Sequence, residues 1–144
     1  METSDTIKLL RECDAGTKMA VTSIDEILEK VQDEKLKSLL QESKSHHKDL
    51  EADIHGKLDL YDAEEKEPNA MAKGMSWMKT NMKMTMDESD ATVADLLTDG
   101  CDMGIKSLYR YMNQYKAADQ ESKGICERLI AIEEKLEKEL RKYL

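Results

Sequence analysis

The sequence predicts an all-α domain in which four long helices form two helical hairpins. Apolar residues recur at alternating spacings of three and four along two long stretches in each half of the chain, as in helices that bury one face. The pattern Cys-Asp-x-Gly-x-Lys occurs at 13–18 and again at 101–106, in matching helical stretches. The single proline, Pro68, lies in a polar stretch between the two halves.

Composition limits the classes of partner. The chain has 144 residues, of which 40% are hydrophobic, which suits one domain spanning 1–144 without disulfides. A net charge of −9 repels phosphate backbones and anionic lipids, so we expect neither nucleic acid nor a membrane as partner. No run approaches the roughly 18 apolar residues of a membrane helix, and the first residues lack the basic start of a signal peptide. We therefore expect a cytoplasmic protein.

The first half predicts a hairpin of helices at about 4–31 and 33–62. Ser4 or Asp5 can cap the first helix and Asp33 the second. The inward residues of the first helix are Leu10, Cys13, Thr17, Ala20, Ile24, Ile27 and Val31. Those of the second are Leu36, Leu40, Ser43, His47, Leu50, Ile54, Leu58 and Tyr61. The short connection predicts that the two helices are antiparallel.

A crossover is predicted to follow. The polar stretch 62–69 reads as a linker, and methionines at helical spacing predict a short helix at about 70–86. Its residues are Met71, Met75, Met78 and Met82, with Trp77 beside them. This length is sufficient to return the chain to the end of the bundle at which it started.

The second half predicts helices at about 89–117 and 120–144, capped by Asp87 or Ser89 and by Asp119. The inward residues of the former are Ala94, Leu97 or Thr98, Cys101, Ile105, Leu108, Met112 and Tyr115, and those of the latter are Ile125, Leu129, Ile132, Leu136, Leu140 and Tyr143. A shift of 88 superposes the first inward stripe on the third. A shift of 89 superposes the first part of the second stripe on the fourth, so that Leu36, Leu40, Ser43 and His47 match Ile125, Leu129, Ile132 and Leu136. This agreement predicts an internal duplication.

The repeated residues have structural interpretations. Acid-before-base pairs four apart predict surface ion pairs, Asp14 with Lys18 and Asp102 with Lys106. Gly16 and Gly104 are expected to permit the close approach of another helix. Cys13, Cys101 and Cys126 are expected to be reduced thiols, the first two packed in the core.

Helix order, crossover length and duplication together resemble the ferritin-like superfamily, in particular small bacterial ferritin-like domains of unknown function. The resemblance implies a four-helix bundle with a glutamate on helices one and three and Glu-x-x-His on helices two and four as ligands of two irons. In this sequence, the Glu-x-x-His positions of helices two and four read Lys44-Ser45-His46-His47 and Glu133-Glu134-Lys135-Leu136. In place of the two glutamates, helix one offers Cys13 and Thr17, and helix three offers Cys101 and Ile105. We therefore expect a degenerate di-metal site, no cofactor and no enzymatic activity.

Metal binding is the alternative hypothesis. His47, Glu51 and His55 recur at steps of four on the second helix and could converge on a divalent iron or zinc ion. The segment 82–86, with methionines at alternate positions, resembles thioether sites for Cu(I). If this segment is helical, Met84 faces away from Met82 and Met86, which favours packing against the core or a partner. Either site would indicate a storage or sensing protein.

His47 is the titratable side chain on the main apolar stripe. Burial is expected to lower its pKa unless a carboxylate such as Glu51 or Glu12 lies beside it. A neutral buried histidine would make the bundle less stable in acid.

The preferred functional prediction is association, as a homo-oligomer or with another protein. Apolar residues outside the inward stripes either widen the buried faces or form a contact surface, and they are Leu9, Val21, Leu39, Leu96, Tyr109 and Ile130. No phosphate-binding loop or nucleophile elbow occurs in the sequence.

Overall fold

The computed structural model describes residues 2–64 and 88–144. Four α-helices are present there: α1 (Glu2–Leu28), α2 (Glu34–Leu60), α3 (Asp90–Gln114) and α4 (Gln120–Leu140), the last followed by a 3-10 turn at Arg141–Tyr143. No β-strand occurs in these two ranges, so the predicted all-α fold with four long helices is confirmed. The predicted short helix at 70–86 and the methionine segment 82–86 lie outside the described residues.

Three predicted helix caps are confirmed. Each cap side chain accepts a hydrogen bond from the backbone N–H three residues on, which satisfies a donor that the helix leaves unpaired. The donor–acceptor distances are 2.9 Å at Asp33, 3.2 Å at Ser89 and 2.7 Å at Asp119.

The predicted start of α1 was wrong. The helix begins at Glu2 rather than at Ser4 or Asp5, and it ends at Leu28, three residues before the predicted end. The Asp5 carboxylate accepts a hydrogen bond of 3.0 Å from the backbone N–H of Ala117 instead. Asp5 therefore ties α1 to the loop between α3 and α4, a tertiary contact that local spacing did not reveal.

Contacts at the two ends of the bundle fix the helix directions. At one end, Asp90 at the start of α3 accepts from the backbone N–H groups of Gln32 and Asp33, at 2.9 and 3.0 Å. At the other end, Thr6 Oγ1 accepts from the backbone N–H of Asp119 at 2.8 Å. Helix α1 is thus antiparallel to α2 and α3. The chain leaves α2 at one end and enters α3 at the other, as the length of the crossover predicts.

A polar network joins the end of α2 to the start of α4. Lys57 Nζ lies 2.8 Å from Glu121 Oε2 and 3.2 Å from Asp119 Oδ2, and Tyr61 Oη donates to Asp119 at 2.9 Å. Burial raises the pKa of Asp119, but hydrogen bonds from Ser122, Tyr61 and Lys57 outweigh it and lower that pKa to about 2. The ionised carboxylate therefore stabilises this end of the bundle.

The apolar core forms two clusters along the bundle axis. One, near the α1–α2 connection, contains Ile24, Ile27, Val31, Leu36, Leu40, Val93, Ala94, Leu96, Leu97, Cys101, Leu136 and Leu140. The other, near the α3–α4 connection, contains Leu9, Leu10, Cys13, Leu50, Ile54, Leu58, Leu108, Ala118, Ile125, Cys126, Leu129 and Ile130. Polar side chains lie between them in sequence on α1, α2 and α4. We call Thr17, Ser43, His47 and Glu133, all buried, the polar layer.

Most residues predicted to face inward do so, and the exceptions are informative. On α4, Ile132 is half-buried and its neighbour Glu133 is buried instead. Of the apolar residues outside the predicted stripes, Leu9, Leu96 and Ile130 are buried and widen the inward faces. Tyr109 is 49% exposed, and Val21 and Leu39 are half-buried.

The two repeated glycines differ in their surroundings. A Cβ at Gly16 would lie 3.4 Å from Leu129 Cδ2, so α1 approaches α4 closely there, as predicted. Beyond its own turns of helix, a Cβ at Gly104 would meet no atom within 4 Å, so the predicted close approach is absent within the ranges described.

Gly104→Ala is expected to raise the free energy of unfolding by about 0.5–1 kcal/mol, since alanine costs less entropy than glycine inside a helix. Gly16→Ala is the matched control. It should raise the free energy of unfolding by less, because the new methyl group contacts Leu129. Urea denaturation measures both changes. A loss of stability in Gly104→Ala would show that the position needs a glycine.

Candidate functional site

The centre of the polar layer is a pair of side chains from different hairpins. His47 on α2 is fully buried, and its Nε2 lies 2.9 Å from Oε1 of Glu133 on α4. Its Nδ1 lies 2.8 Å from the carbonyl oxygen of Ser43, an acceptor only, so Nδ1 carries a proton and donates it. With Nε2 facing a carboxylate, the ring is arranged as an imidazolium between two acceptors.

The environment of His47 reverses the expected direction of its pKa shift. Burial alone lowers the pKa of His47, but the hydrogen bond to Glu133, the charge of that carboxylate and the Ser43 carbonyl together raise it above the ordinary value of 6.5. The exception stated for a neighbouring carboxylate applies, but that carboxylate belongs to Glu133 rather than to Glu51 or Glu12. The expectation of an acid-sensitive neutral histidine is therefore wrong.

Cys101 on α3 extends this pair. Burial, the negative charge of Glu133 and a hydrogen bond with it raise the pKa of the Cys101 thiol far above its ordinary range. Nucleophilic cysteines need a base or a positive charge next to the sulfur. Here a carboxylate lies between the thiol and the imidazole, so the three groups form a structural network rather than an activated nucleophile.

The other two thiols form a second buried pair. The hydrogen bond with Cys126 and burial raise the pKa of the Cys13 thiol well above its ordinary value. Cys126 in turn donates to the carbonyl oxygen of Leu108 at 3.8 Å. Both cysteines are reduced and lie in the apolar cluster near the α3–α4 connection. Core packing was predicted for Cys13 but not for Cys126.

A separate cluster lies between α1 and α2. Asp14, predicted to be at the surface, is fully buried, and its Oδ2 is 3.0 Å from Lys18 Nζ. Its Oδ1 is 2.6 Å from Nε2 of His55, which lies 3.9 Å from Oε2 of Glu51. We call Asp14, Lys18, Glu51 and His55 the Asp14 cluster.

The structure divides the predicted metal stripe on α2. Glu51 and His55 lie together, and Asp14 joins them. His47 belongs to the polar layer, where its Nε2 lies 2.9 Å from Oε1 of Glu133, and it is not part of the group formed by Asp14, Glu51 and His55. The three side chains predicted to converge therefore do not form one group.

The resemblance to ferritin-like proteins placed several residues of this chain at the positions of metal ligands. In the structure, these residues make other contacts. Lys44 Nζ lies 2.5 Å from Asp25 Oδ1 on α1, and Leu136 packs in the core near the α1–α2 connection. Cys13 and Thr17 are fully buried, and Thr17 Oγ1 donates to the carbonyl oxygen of Asp14 at 2.8 Å. These side chains stabilise the packing of the helices.

Two polar residues central to these clusters were missed as partners. Glu133 lies four residues after Leu129 and three before Leu136, so helical spacing alone could have placed it inward in place of Ile132. Asp14 follows the inward-facing Cys13 and faces α2, but its pairing with His55 depends on the relative rotation of two helices. Sequence spacing does not specify that rotation.

Comparisons with protein-family models, curated proteins and solved structures gave no match. Among the described residues, no helix has the length and apolar content needed to cross a bilayer. Evidence about function therefore comes from the geometry of this chain.

Proposed function

We propose that this protein is a non-catalytic helical bundle that acts by association, and that it associates with a second copy of itself through α3. The observation that carries the proposal is the outward face of this helix. Met103 is 69% exposed and Tyr109 is 49% exposed, in the interior of a long helix. The other large apolar side chains with high exposure in the described residues, Leu60 and Leu144, lie at the end of α2 and of the chain.

The contacts of the reactive side chains support a non-catalytic role. The His47 ring hydrogen-bonds to Glu133 and to the Ser43 carbonyl, and the Cys101 thiol faces the same carboxylate. A general base must reach the proton that it removes from a substrate. These groups are buried among the helices and have protein partners, so their contribution is to stability.

The charge pattern of α3 favours a second copy as the partner. Its first half carries Asp95, Asp99 and Asp102 and its second half Lys106 and Arg110. The Asp102 carboxyl also raises the pKa of Glu137 on α4, so acidic groups are concentrated there. Two antiparallel copies of α3 related by a twofold axis would place each acidic half opposite a basic half.

Such a pairing also explains the exposed methionine. If Asp102 faces Lys106 of the second copy, the twofold axis passes near residue 104, and the two Met103 side chains lie about 3 Å apart along the helix direction. The exposed apolar side chains would then be removed from water by the association.

The test is light scattering on the protein as it elutes from a sizing column. The wild-type protein is expected to be a dimer. Lys106→Glu combined with Arg110→Glu should give a monomer, because acidic groups would then face acidic groups along the whole contact. Met103→Ser combined with Tyr109→Ser should also weaken the dimer.

Leu60→Ser is the matched control, since Leu60 is 84% exposed and lies outside α3. The molar mass of this variant from light scattering should remain that of the dimer. A wild-type monomer would contradict the proposal, and a monomer that binds a different protein through α3 would replace the second copy as the partner. A dimer that tolerates both double substitutions would exclude α3 as the contact.

A further inference from the structure

We infer that the hairpin of α1 and α2 contains a binding site for one divalent transition-metal ion of the Zn²⁺ type, formed by Asp14, Glu51 and His55. Each residue offers one ligand atom, and the three atoms all lie within 4.8 Å of one another. The site is distinct from the polar layer and does not depend on the proposed association.

The helices position the ligands from two sides. Glu51 and His55 are one turn apart on α2, so their side chains lie on the same face. Asp14 approaches from α1, the helix that packs against α2 as the other half of the hairpin. An ion held by both helices would therefore bridge them, and its ligands come from rigid elements.

The observed distances require only small adjustments. Bonds of about 2.0–2.2 Å to a tetrahedral ion place its ligand atoms roughly 3.3–3.6 Å apart. The His55 Nε2 to Asp14 Oδ1 distance of 2.6 Å would lengthen, and the Nε2 to Glu51 Oε2 distance of 3.9 Å would shorten. Each of these two changes is about 1 Å or less, a distance that side-chain rotation can supply.

The donor set selects the class of metal. One imidazole nitrogen with two carboxylate oxygens suits Zn²⁺ and related ions, whereas Mg²⁺ and Ca²⁺ prefer oxygen ligands alone. Three protein ligands leave a coordination position for water. The side chains of Glu51 and His55 are 22% and 30% exposed, so an ion has access from solvent, while the Asp14 side chain is fully buried.

Lys18 has a supporting role in this site. Its ammonium group lies 3.0 Å from Asp14 Oδ2, the oxygen that does not face His55. This contact orients the carboxylate and offsets one of the two negative charges. Lys18 therefore acts as an outer partner that fixes the orientation of one ligand.

The same helix provides an internal control. Glu42 and His46 have the same spacing as Glu51 and His55, and their Oε1 and Nε2 atoms are 4.0 Å apart. Both residues are exposed, and they are not part of the three-residue group formed by Asp14, Glu51 and His55. Two ligands on one exposed helical turn should hold an ion much more weakly than three.

The test is isothermal titration of untagged protein with Zn²⁺, with Mg²⁺ as the comparison ion. One Zn²⁺ should bind per chain, and Mg²⁺ should not compete. Glu51→Gln combined with His55→Asn should weaken Zn²⁺ binding by more than the about 10–100-fold that loss of an outer partner costs. Glu42→Gln combined with His46→Asn should bind as the wild type does, and Glu51→Gln alone serves if the first pair fails to fold.

Co²⁺ substitution identifies the donor atoms independently. The expected spectrum shows d–d bands without a thiolate charge-transfer band, because the three cysteines are not ligands. Absence of Zn²⁺ binding by the folded wild-type protein would overturn the inference. Equal binding by the Glu51 and His55 variant, or a thiolate band, would also overturn it.

Discussion

Glu133→Ala is expected to lower the free energy of unfolding by about 3–5 kcal/mol at pH 6, the cost of removing one member of a buried ion pair. His47 is fully buried, and Glu133 accepts from its Nε2 at 2.9 Å. Without the carboxylate, the ring must either stay charged in the buried polar layer with no counter-charge from Glu133, or lose its proton and leave Nε2 without a partner. Urea denaturation followed by circular dichroism measures the change.

Glu134→Ala is the matched control, because Glu134 is the exposed neighbour on the same helix. Its effect should be within about 0.5 kcal/mol. Combining His47→Leu with Glu133→Leu should restore much of the stability, since apolar residues of similar volume often replace a buried ion pair without loss. Equal stabilities of Glu133→Ala and Glu134→Ala would show that the pair contributes nothing.

The pH dependence of the free energy of unfolding is a second test of the His47–Glu133 pair, because its direction depends on whether the carboxylate is present. Because the folded pKa of His47 is raised above 6.5, its stabilising contribution is complete below that unfolded value and is lost as the pH rises through the folded value. In Glu133→Gln, burial acts without the carboxylate charge and lowers the pKa of His47. That variant should instead lose stability as the pH falls below about 6.5. The same slope in both proteins would contradict the assignment of Glu133 as the partner.

Leu129→Ala is expected to cost about 2–5 kcal/mol, the range for truncating a buried leucine. Leu129 is 1% exposed and its Cδ2 lies close to the backbone of α1 at Gly16, so the cavity would open where the two hairpins meet. Neighbouring side chains can close such a cavity only in part.

The control for Leu129→Ala is Leu60→Ala, which removes the same atoms from a side chain that is 84% exposed. The change in unfolding free energy should be within about 0.5 kcal/mol of zero. If Leu129→Ala were as mild as Leu60→Ala, the packing of α4 on α1 would not contribute to stability as described.

The helices were predictable because their signals are local. Each of the three confirmed caps, at Asp33, Ser89 and Asp119, accepts a hydrogen bond from a backbone N–H only three positions later. The spacing of apolar residues identifies most of each inward face. The start of α1 was not predictable in this way. Asp5 resembles a cap in sequence, but its carboxylate contacts Ala117, and only the folded chain brings these residues together.

The partners of the interior polar groups were harder to predict. His47 was recognised as a buried titratable residue, but Glu133 is 86 residues away and the neighbouring Ile132 fits the inward stripe equally well. Asp14 was predicted to form a surface ion pair because spacing relates it to Lys18. Spacing along one helix does not show which of its faces a second helix covers. In this structure, the packing of α2 on α1 buries Asp14 and places it beside His55.

Oxidative cross-linking of Met103→Cys is the most direct test of association through α3. In the proposed antiparallel pair, residue 103 lies close to the twofold axis, whereas the three native cysteines are buried and do not compete. Mild oxidation should convert Met103→Cys into a covalent dimer and leave Leu60→Cys, at a position where the native side chain is 84% exposed, monomeric on a denaturing gel. Failure of Met103→Cys to cross-link, or equal cross-linking of both variants, would contradict the account.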